Sequence, residues 1–175
     1  MTNRRRIVSF DGISCSGKST IIDEMQVRLK DAGILVYNKA DLLHYQGDSV
    51  GAAIKKILAA GSPSFRLGLP ATETLLICAK RAYEWQTSVE PLLNKGAVVL
   101  CDRDIDTVCA YQLEVLKGWR NRLSQRQLTS LLRSVNELSC ANPGLTFSCE
   151  VSIDVSYERL LGTAAVNDIE TPRSS

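Results

Sequence analysis

Short apolar runs alternate along the chain with longer stretches in which apolar residues recur every three or four positions. The short runs predict four strands, at 7–10, 34–37, 97–101 and 147–153. The recurring positions predict helices, because that spacing keeps apolar side chains on one helical face. The predicted helices lie at 21–29, 50–58, 72–87, 106–117 and 124–139, with a short continuation from Pro91 to Gly96 and a short helix from about 156. Ser124 and Gln127 have the spacing of a capping box, which predicts a helix start there.

The alternation of strands and helices predicts the fold class. Parallel strands need crossover connections of about a dozen residues or more, and helical stretches of that length separate the predicted strands. We therefore predict a three-layer α/β domain, with a mostly parallel central sheet flanked by helices. A chain of 175 residues can bury one core but is short for two ordinary domains. We expect a single domain over 1–175, with a basic tail at 1–6 and a polar tail at 163–175.

Composition and charge exclude several classes of function. The formal net charge of +2 gives no strong field for a nucleic-acid polymer, and no apolar run approaches the roughly 20 residues that span a bilayer. The six cysteines form no C-x-x-C pair, and the single histidine, His44, lies apart from them, so no zinc-ligand pattern is present. The basic start is not followed by the apolar segment of a signal peptide. We expect free thiols and a cytoplasmic protein without membrane or nucleic-acid partners.

The first predicted strand runs into a loop rich in glycine and serine. Residues 12–19 read GISCSGKS and fit the pattern G-x-x-x-x-G-K-[S/T], with a strand before it and a helix after it. In that context the loop amides and the positive helix end bind a polyphosphate, Lys18 reaches the β- and γ-phosphates, and Ser19 places its hydroxyl on Mg²⁺. The alternative is an ordinary strand-to-helix turn made of small residues. The candidate ATP-binding residues are Gly12, Ile13, Ser14, Cys15, Ser16, Gly17, Lys18, Ser19 and Thr20.

A second candidate pair follows the strand predicted at 97–101. Asp102 falls where a parallel strand ends beside the loop, a position from which a carboxylate holds Mg²⁺ or accepts a proton. Arg103 next to it can bind a phosphate through two parallel hydrogen bonds. An ordinary surface ion pair is the alternative for these two residues. We take Lys18, Asp102 and Arg103 as candidate catalytic residues, and Ser19 and Asp102 as candidate metal ligands.

Four stretches of the chain resemble the thymidylate kinases, a family of nucleoside monophosphate kinases. They are FDGISCSGKST from Phe10, LLICAKRAYEWQ from Leu75, EPLLNKGAVVLCDRDIDTVCAYQ from Glu90, and PGLTFSCEVSIDVSYERL from Pro143. The third stretch is the most specific, because it combines a proline-led helix, a glycine turn, a strand ending in Asp-Arg, and Ala-Tyr-Gln at a fixed distance. The resemblance covers roughly residues 7–160 and implies the P-loop NTPase fold.

The resemblance also implies roles on both sides of the site. It implies ATP as the phosphoryl donor, with Mg²⁺ as cofactor, and a nucleoside monophosphate as acceptor. It implies that Arg81 reaches the carbonyl edge of a pyrimidine, with a solvated helix residue as the alternative, and that Gln112 lines the acceptor pocket. It implies a homodimer that packs through helices flanking the sheet. The candidate acceptor-binding residues are Ser14, Ile77, Arg81, Arg103 and Gln112.

The chain departs from the family pattern mainly on the acceptor side. Ile77 stands where the family has an aromatic residue that stacks on the base, and such stacking is worth about 1–3 kcal/mol per base in nucleic-acid complexes. Ser14 replaces an aspartate that reads the acceptor sugar, Cys15 replaces a glycine, and Asp104 replaces an aromatic residue. After the second strand the family has an arginine for the acceptor phosphate, whereas here Lys39 is the nearest cation. We therefore expect thymidylate to be used poorly.

The end of the sequence departs as well. The family continues with an arginine-bearing lid, a fifth strand and a helix, whereas 163–175 contains one arginine, Arg173, so we expect a shortened lid. A charge-stabilising arginine contributes roughly 10³ to 10⁵ in rate in related enzymes. Three functions therefore stay open. They are a nucleoside monophosphate kinase, which the motifs favour, a kinase that acts on a nucleoside or another small acceptor, and a nucleotide-binding protein without turnover.

Overall fold

The computed structural model describes residues 6–40, 49–60, 69–117, 123–138 and 140–162. Its four strands form one parallel sheet in the order β2-β3-β1-β4. They are β1 (Ile7–Asp11), β2 (Val36–Lys39), β3 (Val98–Asp102) and β4 (Leu145–Ser148). The parallel sheet and its flanking helices confirm the predicted α/β fold. The tails predicted at 1–6 and 163–175 lie outside the described residues, apart from Arg6.

The helices lie within a few residues of their predicted positions. They are α1 (Lys18–Asp31), α2 (Ser49–Ala59), α3 (Pro70–Glu84), α4 (Glu90–Asn94), α5 (Ile105–Lys117), α6 (Gln125–Glu137) and α7 (Ile153–Gly162), and a π-helical turn (Trp85–Val89) joins α3 to α4. The capping box predicted at the start of α6 is present, because the Ser124 N–H donates to Gln127 Oε1 at 2.8 Å and Ser124 Oγ accepts from the Gln127 N–H. None of these helices has the length and apolar character needed to cross a bilayer.

The predicted start of the second strand, at 34, is wrong. Ile34 and Leu35 are apolar but exposed, with 38% and 49% of their surface accessible. Pairing with β3 begins at Val36, which lies opposite Val98. The strand therefore runs two residues further than the apolar run, and it ends at Lys39.

The predicted extent of the fourth strand, 147–153, is also wrong. β4 begins at Leu145 and ends at Ser148. Ser152 Oγ accepts a hydrogen bond from the Val155 N–H at 3.3 Å, in the manner of a helix cap. The apolar residues that follow Ser152 therefore belong to α7 and do not extend the strand.

The central strands are buried on both faces. Phe10 and Leu100 pack with Ile22 of α1 on one face of the sheet. Ile7 and Val99 pack on the other face against the π-helical turn and α4. This two-sided burial explains why β1 and β3 read as nearly continuous apolar runs. Because Phe10 lies opposite Asp102 in the β1–β3 register, the loop after β1 and the residues after β3 meet at the carboxyl edge of the sheet.

Candidate functional site

Residues 12–17 form a loop that joins β1 to α1, and Lys18 begins the helix. The Lys18 side chain is buried. Its ammonium group donates hydrogen bonds to the carbonyl oxygens of Gly12 (3.2 Å) and Ile13 (2.8 Å). It also lies 3.3 Å from Ser16 Oγ. The loop thus wraps around a positive charge beside the N-terminus of a helix, an arrangement that attracts an anion.

Two glycines of this loop have backbone conformations that other residues rarely adopt. Gly12 has φ +149°, and a β-carbon there would lie 2.3 Å from the carbonyl oxygen of Cys149. Gly17 has φ +93° and precedes the first turn of α1, with open space where its β-carbon would lie. The first glycine is needed for close approach of the chain after β4, whereas the second is needed for its backbone conformation alone.

Cys15 also has a left-handed conformation, with φ +56°, although it carries a β-carbon. That conformation costs roughly 1–2 kcal/mol in a residue other than glycine. A left-handed residue in a turn can direct successive amides toward one side, as in anion-binding loops. The loop therefore has a left-handed residue at the position where the family pattern has a glycine.

Ser19 and Asp102, the candidate metal ligands, are in contact. Ser19 Oγ donates a hydrogen bond to Asp102 Oδ2 at 3.1 Å. Asp102 Oδ1 is buried and has no hydrogen-bond partner in the part of the chain that the structure describes. A hydroxyl and an unsatisfied carboxylate oxygen beside an anion-binding loop fit Mg²⁺, which takes one or two protein oxygens and completes its shell with phosphate and water. Thr20, the last candidate of the loop segment, is exposed in the first turn of α1.

Arg103 brings a second positive charge to the loop. Its backbone is left-handed, with φ +68°, and its N–H donates to the carbonyl oxygen of Phe10 at 3.0 Å. From there Nη2 donates a hydrogen bond to Ser14 Oγ at 3.0 Å. The guanidinium also lies 5.9 Å from the centre of the Tyr111 ring, within range of a cation–π interaction. Tyr111, which stands in the Ala-Tyr-Gln motif, thus helps to orient Arg103, a role that the sequence analysis did not assign.

Arg81 is buried on α3, which excludes a solvated position for this side chain. Its guanidinium forms an ion pair with the Asp104 carboxylate, and Nη2 lies 2.8 Å from Asn136 Oδ1. Asp104 is the residue that replaces an aromatic side chain of the family pattern. The replacement and the arginine are therefore partners in one buried pair. The sequence analysis missed this pair and Asn136, because the three residues lie on segments far apart along the chain.

Gln112 and Ile77 lie on two helices that pack together. Gln112 is buried on α5, and its Oε1 accepts a hydrogen bond from Thr74 Oγ1 of α3 at 2.8 Å. Ile77 is half-buried on α3, one turn before Arg81. The candidate acceptor residues thus fall into two groups. Arg103 and Ser14 meet at the loop, and the other three lie on the α3–α5 helix pair.

Five charged side chains form a buried group, which we call the α3 charge cluster: Lys39, Lys80, Arg81, Glu84 and Asp104. Lys80 and Glu84 form an ion pair at 2.7 Å. Burial disfavours the charge on Lys39, yet the neighbouring carboxylates of Asp104 and Glu84 help to hold the pKa of Lys39 above its ordinary value. Burial raises the pKa of the adjacent Cys101 to about 12, so its thiol is uncharged. The cluster comprises three basic and two acidic side chains, and α3 carries a further buried acidic residue, Glu73.

The chain matches known proteins over most of its length. A family model described as Thymidylate kinase matches residues 10–173. The thymidylate kinase of Bradyrhizobium sp. (strain ORS 278) is 34% identical over 157 residues, which are 89% of this chain and 64% of that protein. The thymidylate kinase of Afipia carboxidovorans is 33% identical over 158 residues, which are 90% of this chain and 64% of that protein. The chain therefore spans slightly less than two thirds of the length of these relatives.

A solved structure shows the same fold. The crystal structure of thymidylate kinase from Ehrlichia chaffeensis matches with a TM-score of 0.62 and 24% identity, over 88% of this chain and 81% of that one. The matched range includes the loop around Lys18 and residues 102–103. Because the family model covers nearly the whole chain, the protein belongs to the thymidylate kinase family.

Proposed function

We propose that the protein is an ATP-dependent nucleoside monophosphate kinase, which transfers the γ-phosphoryl group of ATP to a nucleoside monophosphate. The observation that carries the proposal is the 3.0 Å contact between Arg103 Nη2 and Ser14 Oγ. It brings a cation from the end of β3 to a loop that already surrounds Lys18. An ordinary strand-to-helix turn requires neither cation, whereas a site that holds two phosphate-bearing substrates uses both.

The donor binds to the loop between β1 and α1. The loop amides and the positive end of α1 contact the β- and γ-phosphates of ATP. The Lys18 ammonium exchanges the carbonyl oxygens of Gly12 and Ile13 for phosphate oxygens, which are stronger acceptors because they are charged. This exchange lowers the free energy of the loop with bound polyphosphate relative to the empty loop.

Mg²⁺ belongs beside Ser19 and Asp102 in this proposal. Their contact at 3.1 Å and the unsatisfied buried oxygen of Asp102 support that assignment. When bound, the ion neutralises charge on the β- and γ-phosphates. Asp102 then gains a partner for the oxygen that has none among the described residues.

The acceptor binds between Arg103 and the α3 charge cluster. Arg103 offers a planar fork of donors to the acceptor phosphate, and the positive charge of Lys39, whose pKa is raised, favours an anionic acceptor. Catalysis rests on positioning and on charge neutralisation, with little covalent work for the protein. Because Ile77 provides no aromatic ring and Ser14 no carboxylate, thymidylate is a poor acceptor with a high KM.

ADP release from ATP, measured with a panel of nucleosides and nucleoside monophosphates, tests the proposal. We expect release that depends on a monophosphate and that the Lys18→Ala variant lacks. Release that depends on a nucleoside would replace the proposal with a nucleoside kinase. ATP binding without acceptor-dependent release would indicate a nucleotide-binding protein without turnover.

We also propose that the protein is a homodimer that packs through α3. Leu75 on α3 and Leu69 just before it are 63% and 58% exposed, and they offer an apolar surface for a second copy. Light scattering at micromolar concentration should give twice the mass of one chain. A monomeric mass would contradict this assembly.

A cytoplasmic location is the last part of the proposal. All six cysteines are free in the structure, which suits a reducing compartment. Localisation of the tagged protein in cells, by fractionation, tests this assignment.

A further inference from the structure

Helix α7 contacts the loop of residues 12–17, which we call the phosphate loop, through two side chains. Ser156 Oγ donates a hydrogen bond to the carbonyl oxygen of Ser14 at 2.8 Å. Arg159 Nη1 donates to the carbonyl oxygen of Cys15 at 3.0 Å. Two consecutive carbonyl groups of the loop are therefore held by one helix, from a segment more than a hundred residues away along the chain.

These contacts fix the direction of two loop amides. A trans peptide group is planar, and its C=O and N–H point in opposite directions. When α7 holds the carbonyl oxygens of Ser14 and Cys15, the N–H groups of Cys15 and Ser16 point away from α7. The preceding carbonyl groups, of residues 12 and 13, face the Lys18 ammonium instead.

The loop needs this support because of its backbone conformation. Cys15 is left-handed at φ +56° and lacks the conformational freedom of a glycine. Without a partner for its carbonyl oxygen, the peptide after Cys15 gains by rotating toward a less strained conformation. The hydrogen bond from Arg159 is charge-assisted, so it is stronger than one from a neutral donor and opposes that rotation.

We propose that Ser156 and Arg159 are positioning residues of the donor site, which hold the amides of Cys15 and Ser16 toward the polyphosphate of ATP. This inference rests on the proposed function, since it takes the loop to be the ATP site. Neither residue touches the reacting atoms. Ser156 acts through orientation alone, because it is uncharged, whereas Arg159 adds a positive charge close to the loop.

The test is a titration of MgATP into the full chain and its variants, followed by KM values for ATP and for the monophosphate acceptor. The variants are Ser156→Ala, Arg159→Ala and Arg159→Lys. Lys18→Ala marks loss of the donor site itself, and Arg126→Ala, at an exposed position on α6, controls for loss of an arginine charge. Melting temperatures are measured for every variant.

We expect ATP affinity to fall about threefold in Ser156→Ala and about tenfold in Arg159→Ala, the range of neutral and charge-assisted hydrogen bonds. Arg159→Lys should recover part of the loss, because an ammonium group can donate to the same carbonyl oxygen. The acceptor KM and the melting temperatures of the Ser156 and Arg159 variants should stay at parental values. The ATP affinity of Arg126→Ala should also stay at the parental value. A loss of ATP affinity in Ser156→Ala would come from the orientation of the loop amides, since that substitution changes no charge.

Parental ATP affinity in the Ser156 and Arg159 variants, with Lys18→Ala impaired, would overturn the positioning role and leave the proposed kinase function standing. Equal losses for ATP and acceptor, together with lower melting temperatures, would overturn it in favour of a structural role for α7. A parental chain that binds no ATP would overturn both proposals together.

Discussion

The proposed donor edge and the proposed acceptor side of this protein are built in different ways. The donor edge, which comprises the phosphate loop, Lys18 and Asp102, is made of backbone groups and a few side chains within hydrogen-bond distance of one another. The acceptor side, which comprises the α3 charge cluster, Gln112 and Ile77, is made of side chains from α3, α5, β2 and the turn after β3. Both regions depart from the family pattern. Ser14 and Cys15 are departures within the loop, whereas Ile77 and Asp104 are departures on the acceptor side.

The departures on the acceptor side are coupled to one another. Asp104 replaces an aromatic residue, and it forms the ion pair that buries Arg81. It also helps to hold the charge on Lys39, which lies at the end of β2. A change of acceptor-side residues thus involves several positions at once, because each buried charge needs a partner. The donor edge depends on backbone conformation, and the proposed positioning role of Ser156 and Arg159 supports the left-handed residue Cys15.

The largest expected effect is on the acceptor side, from Asp104→Ala. The substitution leaves the Arg81 guanidinium buried without its carboxylate, and breaking a buried ion pair costs about 3–5 kcal/mol of unfolding free energy. The matched control is Asp106→Ala, because Asp106 and Arg133 form an ion pair at 2.9 Å with both side chains 50% exposed. It should cost about 1 kcal/mol or less. Urea denaturation measures both, and equal losses would contradict the buried pair.

Lys18→Ala tests the donor edge. ATP affinity should fall about 10²- to 10³-fold, the effect of removing one preorganised electrostatic group from a site of this kind. Lys30→Ala, at an exposed position of the same helix, should leave affinity unchanged. Calorimetric titration with MgATP measures both variants. Parental affinity in Lys18→Ala would remove the basis for calling this edge the donor site.

Gly12→Ala separates steric from conformational requirements within the loop. Its β-carbon would overlap the carbonyl oxygen of Cys149, at 2.3 Å, so we expect a loss of about 1–3 kcal/mol in unfolding free energy. Gly17→Ala meets open space and should cost only its backbone strain, about 1 kcal/mol. Denaturation midpoints compare the two. A larger loss for Gly17→Ala would contradict the close approach of the chain after β4.

Arg103→Lys has a smaller expected effect than Asp104→Ala and Lys18→Ala, and it concerns the residue that links the two regions. Lysine keeps the charge but loses the planar fork, so the acceptor KM should rise about tenfold or less while ATP affinity changes little. Steady-state kinetics with each substrate varied in turn measure the two constants. An equal change in both constants, or no change in either, would contradict the assignment of Arg103 to the acceptor.

The sequence predicted the strand, the helix and the β1–β3 register of the donor edge because the signals for them are local. The strand before the loop, the helix after it and the Gly-Lys-Ser spacing are contiguous in residues 7–20, and parallel strands place Asp102 at the same edge. The start of α6 was predicted for the same reason, since the capping box of Ser124 and Gln127 lies within one turn. Such features depend on neighbours that can be read directly along the chain.

The acceptor side could not be predicted in the same way. The pairing of Arg81 with Asp104 and Asn136 joins residues 23 and 55 positions away from Arg81, and no pattern in the sequence marks it. The contacts of α7 with the loop join residues 142 and 144 positions apart, which is why Ser156 and Arg159 were not identified. The end of β4 was misplaced because the cap at Ser152 outweighs the strand preference of the apolar residues around it.

Transfer of labelled γ-phosphate is the most direct test of the central claim that the two regions form one kinase site. The full chain is incubated with γ-³²P-ATP, Mg²⁺ and thymidylate or another nucleoside monophosphate, and the products are separated by chromatography. We predict that label appears in a nucleoside diphosphate and that thymidylate accepts it with a high KM. We predict no labelled diphosphate with the Lys18→Ala variant. Label that remains in ATP or appears only as inorganic phosphate, under conditions where ATP binds, would contradict the account.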